Sequence, residues 1–165
     1  MREPRLAKLV MTASLAFFAL VVAFGNLTDY GSNFAFVQHV LSMDTTFPGN
    51  ALMYRAITSP ILWHAGYGSI IGGEALTGVL FLVGAVSLWR HRDAPGAAYN
   101  GVKRPVYLGA TVGFLVWYVG FTVVGGEWFA MWQSQTWNGQ EPAFRIYITI
   151  LAVLIFVSRP DGDLA

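Results

Sequence analysis

Four apolar stretches divide this chain, and its cations gather at one set of their ends. The stretches run about Lys8 to Gly25, Tyr67 to Trp89, Val106 to Val124 and Ala143 to Ser158. Each is near the roughly 20 apolar residues that an α-helix needs to cross a hydrocarbon core of about 30 Å. The pattern predicts an all-α fold: an integral membrane four-helix bundle forming a single transmembrane domain over residues 1–165. Only 12% of residues are charged, about half the share of a soluble domain, so the chain cannot cover itself with a water-facing surface.

The first stretch, preceded by Arg2, Arg5 and Lys8, has the look of a signal peptide. We expect it to be retained as an anchor. Of the ten Lys and Arg, only Arg55 and Arg145 lie away from the N-terminus, the loop between spans two and three, or the C-terminus. The positive-inside rule then predicts both termini in the cytoplasm. Residues 26–66 and 125–141 become outer segments, facing the periplasm if the membrane is a bacterial inner membrane. A net charge of +1 leaves no basic stripe for nucleic acid. Zero cysteines exclude disulfides, thiolate chemistry and Cys-ligated clusters.

Ser59-Pro60, Arg104-Pro105 and Glu141-Pro142 each place proline where a first helical turn tolerates it. The outer segments read as ordered. Ser32 is positioned to cap a short helix from Asn33 to about Met43, with Phe34, Val37, Val40 and Leu41 on one face; such a helix would lie flat at the interface. Residues 125–137, with Trp128, Trp132 and Trp137, are too aromatic for a solvated linker and read as interface anchors.

Glu74 is the sharpest single residue. It sits inside span two, about 22 Å from Trp89 by helical rise, and an intramembrane acid is a functional hypothesis by default. Arg145 lies at a similar height in span four, so the expectation is a structural ion pair, Glu74 with Arg145. His39 and His64 are both outer, and Met43, Met53 and Met131 offer thioethers, so haem is a candidate cofactor. Their spacing completes no metal motif. A quinone, lipid or haem site would use His39, His64, Glu74, Trp128 and Trp132, where aromatic walls and a few polar groups meet. Gly68…Gly72 and Gly109…Gly113 fit the small-xxx-small pattern of close helix approach. No phosphate loop, nucleophile elbow or HExxH is present, and no catalytic residue is assigned: the chain reads as a non-enzyme without a metal site.

Three stretches carry a resemblance. They are residues 26–30 (Asn-Leu-Thr-Asp-Tyr), residues 36–60 with His39, Asp44 and Arg55, and residues 125–145 with Glu127, Gln133, Asn138 and Glu141. Together they resemble a bacterial family of predicted small integral membrane proteins of unknown function. The resemblance implies four spans and a bacterial inner membrane, and draws attention to the outer side.

The functional expectation is an accessory subunit that packs against a larger membrane complex, respiratory or photosynthetic, with the lipid bilayer and that complex, or further copies of itself, as partners. The alternative is a membrane protein that binds haem, quinone or lipid beneath its outer cap. A third reading, an oligomeric transporter, has only one intramembrane acid to support it.

Overall fold

Each apolar stretch folds as a helix that outruns it. The computed structural model describes residues 3–164, so Arg2, counted among the charges above, lies outside the described residues. Helix α1 spans Glu3–Thr28, α2 Tyr30–Ser42, α3 Pro60–Arg90, α4 Gly96–Gly101, α5 Arg104–Phe114 and α6 Gln140–Ser158. A π-helical segment, Leu115–Trp128, continues α5 without a break. Four of these units are long and apolar enough to cross a membrane: α1, α3, the run from Gly96 to Trp128, and α6. The molecule is an all-α membrane bundle, with no strand among the described residues. An even number of crossings brings both termini to one end, where Arg5 reaches the Gly162 carbonyl.

The bundle is built on α3. One side packs against α1 and the other against α5, while α6 closes the far side on α5 and the π segment. The shared core holds Leu15, Ala19, Phe81, Leu88, Val106 and Trp117. Small residues set the closest approaches. A Cβ on Gly84 would fall 2.7 Å from Val106 Cγ2, and one on Gly113 would fall 2.8 Å from Ile150 Cδ1. Gly109 and Gly113 thus serve the packing role that their spacing predicts. Gly68 and Gly72 do not, since a Cβ at either would meet nothing within 4 Å.

The prolines sit in first turns, Pro60 in α3 and Pro105 in α5, because the missing N–H there has no intrahelical acceptor to lose. The short outer helix exists but starts at Tyr30 rather than Asn33. Ser32 does not cap it. Its hydroxyl donates to Asp29 Oδ1, and the capping position is Asp29 itself, which makes no side-chain cap bond. Val37 of α2 packs on Tyr67 and Ile71 of α3.

Beyond α2 the two outer segments fold onto each other as a lid. Val40, Met43, Phe129, Ala130 and Met131 form its core. Three cross-links hold it: Phe47 N–H donates to Gln133 Oε1 (3.0 Å), Thr45 Oγ1 to Ser134 Oγ (2.8 Å) and Arg55 Nη1 to the Trp128 carbonyl (3.1 Å). Ala130 turns the chain through the left-handed region (φ 51°). The tryptophan-rich segment is therefore ordered, as its composition predicts.

Candidate functional site

Glu74 is buried in α3 with 2% of its surface exposed. Its Oε2 accepts a hydrogen bond from Asn26 Nδ2 of α1 at 2.7 Å. Tyr67, two turns earlier on α3, donates its hydroxyl to the Asn26 carbonyl at 3.0 Å. Asn26 is thus held from both ends, and the chain's intramembrane acid is tied to α1 by a neutral partner.

The expected Glu74–Arg145 ion pair is not formed. Arg145 pairs instead with Glu141 one turn before it on α6, with both side chains three-quarters exposed. Helical rise fixes height along a span but not the direction a side chain faces, and Arg145 faces outward, where its i−4 neighbour is nearer than α3. No cation lies within ion-pair distance of Glu74 among the described residues, and its Oε1 has no hydrogen-bond donor among them.

A cavity of about 440 Å³ opens beside this carboxylate. Phe36, Tyr67, Trp117 and Phe121 wall it with aromatic surface; Asn26, Asn33 and Asn138 supply polar edges. A second, almost wholly apolar cavity of about 180 Å³ lies under the lid and shares Phe36, Val37, Ile70 and Phe121 with the first. Gly120 and Gly125 line it.

The π-helical backbone builds both walls. Its bonds reach from residue i to i−5, as where Phe129 N–H meets the Val124 carbonyl at 3.0 Å. π-helical turns are rare and frequently mark functional sites. Here Trp117 and Phe121 face the acid's cavity while Gly120 and Gly125 face the apolar one. The sequence carried no periodic signal for it. Its one hint was a cluster of glycines, Gly120, Gly125 and Gly126, in an otherwise β-branched and aromatic run.

Of the five residues expected to share a site, Glu74 alone lines either of these two cavities. His64 is engaged at the rim of α2, its Nδ1 2.7 Å from the Tyr30 hydroxyl and its ring stacked on Phe34 at 4.2 Å. His39 has Nδ1 2.8 Å from Asp44 Oδ2 and stacks on Trp137 at 4.7 Å. Trp128 lies under the Arg55 guanidinium, and Trp132 packs edge-on to Phe47; both are half-exposed on the lid. Sequence reasoning missed Asn26, Tyr67, Trp117 and Phe121. A neutral amide and core-type aromatics carry no charge to count, so only the fold exposes their convergence.

A family model described as predicted small integral membrane protein (DUF2165) matches residues 4–160. No curated protein and no solved structure matches the chain.

Proposed function

We propose, for a chain that belongs to the DUF2165 family of predicted small integral membrane proteins, that it is a non-catalytic binding protein for a lipid-soluble molecule carrying a hydroxyl or amine head. The observation that carries this reading is the buried Glu74 side chain, which lines an aromatic-walled cavity and has one carboxyl oxygen without a donor among the described residues. A buried acid lacking a full set of partners is costly in lipid. A ligand hydroxyl or ammonium at Oε1 would complete its shell, with Asn26 holding the other oxygen. Ring or alkyl portions would lie against Trp117 and Phe121 and reach toward the apolar cavity beyond Phe36. A quinol or an amino lipid belongs to this class. Haem does not fit: neither His39 nor His64 lines the cavity, so no imidazole is placed to ligate it. The charge pattern supports termini in the cytoplasm and the lid on the opposite side, which is the periplasm if the membrane is a bacterial inner one.

The test is binding of decyl-ubiquinol and of dodecylamine to the detergent-purified protein, followed by tryptophan quenching. At least one should saturate. Glu74→Gln should weaken it about tenfold, the worth of one hydrogen bond to a charged group, without lowering the melting temperature. Equal binding by both proteins, or none by either, would refute the reading.

A second reading is an accessory subunit of a larger membrane complex. It is supported by α6, of whose apolar window only 17% is buried within the chain, leaving Phe144, Ile148 and Ile155 outward-facing. Consistent migration as a lone monomer after purification in mild detergent would count against it.

A further inference from the structure

At the end of the bundle opposite the lid, three cations are sealed inside. Arg5 and Lys8 of α1 are each 2% exposed and Lys103 is 1% exposed. They meet the segment after α6. Asp161 Oδ2 accepts from Lys8 and from Lys103, both at 2.6 Å, and the Arg159 carbonyl accepts from both as well. Lys103 is complete, its third N–H going to Asn100 Oδ1.

Arg5 and Lys8 are not complete. Arg5 donates two bonds through Nη1, to the Arg92 and Ala94 carbonyls, and one through Nη2 to the Gly162 carbonyl. A guanidinium carries five N–H groups, so Nε–H and one Nη2–H are left over, and no carboxylate lies within ion-pair distance of this cation among the described residues. Lys8 uses two of its three N–H groups, with the Phe156 ring 5.6 Å away.

These two side chains line one cavity of about 550 Å³, together with Phe156 and the exposed Arg159. Asp161 and Asp163 also line it. Asp161 is committed to the two lysines, and Asp163 Oδ1 accepts from the Gly96 N–H at 2.7 Å. Among the described residues, three cations, Arg5, Lys8 and Arg159, line the cavity with two carboxylates, and one of these, Asp161, is shared by Lys8 and the buried Lys103. Buried positive charge in excess of its partners is unfavourable, and basic pockets at the ends of membrane helices suit anionic headgroups.

We infer that this cavity is a binding site for a phosphate-bearing anion, gripped by the unused N–H groups of Arg5 and Lys8 and closed by Arg159. The inference is independent of the Glu74 cavity, which runs from the middle of the bundle toward the lid. The ligand is either the headgroup of an anionic lipid or a soluble phosphate, and the grip is the same for both.

Native mass spectrometry of the detergent-purified protein, offered phosphatidylglycerol or phosphatidylcholine, distinguishes these. Thermal unfolding with inorganic phosphate runs alongside. Retention of phosphatidylglycerol over phosphatidylcholine, weakened about fivefold in Arg159→Gln, supports a lipid headgroup. A phosphate-dependent rise in melting temperature that is lost in the same variant supports a soluble anion. Arg159→Gln keeps the backbone carbonyl used by both lysines and changes an exposed side chain, so it decides the matter even if Arg5→Gln fails to fold. Equal retention of the two lipids with no effect of phosphate overturns the inference, as does a preference unchanged in Arg159→Gln.

Discussion

Asn26 Nδ2 donates to Glu74 Oε2 at 2.7 Å, so the acid in the middle of the bundle is fastened to α1 by a neutral amide. The bond spans two helices whose mutual packing is the most extensive in the molecule. Replacing Asn26 with Ala strands a buried carboxylate, and leaving such a group without its donor costs about 1–3 kcal/mol, more when it is charged. Asn26→Ala should therefore lower the melting temperature in detergent well below that of the parent protein. Asn26→Asp should be worse, because it sets a second carboxyl against the first. A melting temperature unchanged in both variants would show that the contact contributes nothing.

The same geometry makes an opposite prediction for Arg145. Its only ion-pair partner among the described residues is Glu141, one turn away on α6 and equally exposed. Exposed pairs of this spacing contribute a few tenths of a kcal/mol. Arg145→Ala should leave stability within about 0.5 kcal/mol of the parent. A large loss would indicate that Arg145 holds a buried carboxylate after all, as matching heights along the two spans had suggested.

Glycine spacing yields a paired test. Gly84 lies where α3 meets α5, and an added methyl would collide with Val106 Cγ2 and come within 3.3 Å of the Val106 backbone nitrogen. Backbone cannot swing aside, so Gly84→Ala should cost about 1–3 kcal/mol as overpacking. Gly72 meets nothing within 4 Å. Gly72→Ala should be neutral or slightly stabilising, since alanine is the better helix former. Thermal unfolding of the two variants side by side tests whether the first small-xxx-small motif is a packing face.

Met131 anchors the lid. It is 2% exposed, its Sδ accepts the Gly139 N–H at 3.5 Å, and its methyl lies close to Gly125 of the π segment. Truncating a buried methionine to alanine costs about 2–5 kcal/mol. The loss should be local, because the lid core is separate from the bundle core. In Met131→Ala, protease should cut within residues 43–57 faster than in the parent, while the helices stay protected. Unchanged cleavage there would mean that the two outer segments hold together without it.

The spans were legible because crossing lipid fixes both length and composition. Proline marked the starts of α3 and α5, whereas the end of α1 was not marked: it continues past Gly25 to Thr28. Glu74 stood out as an acid in an apolar run, yet its partner did not, since charge counting seeks arginine and passes over Asn26. The cations at the end of the bundle that holds the termini read in the sequence as a topology signal only. Three of them are buried, because carbonyls and a carboxylate from residues 159–162 come back to meet them, and nothing in the sequence announces that return. Gly96 and Asn100 of α4 both bind the returning segment.

Asp161 links this end of the fold to pH. Burial acts to raise its pKa, but hydrogen bonds from Lys103 and Lys8, together with their charges, outweigh it and hold the carboxyl below its ordinary value. A carboxylate whose folded pKa is depressed binds protons more readily when unfolded. Its contribution to stability is therefore complete above the unfolded pKa, about 3.9, and is lost as pH falls through the lower folded value. Acidifying the parent protein from neutrality should leave this contribution intact until about pH 4 and remove it below. Asp161→Asn removes the one carboxylate that two buried lysines share, and breaking a buried pair costs about 3–5 kcal/mol. The variant should melt far lower at neutral pH, and the gap to the parent should narrow below about pH 4 as the parent loses the same charge. Melting curves of both proteins across this range test the assignment. A gap that stays constant into acid would show that Asp161 acts through shape and not through charge.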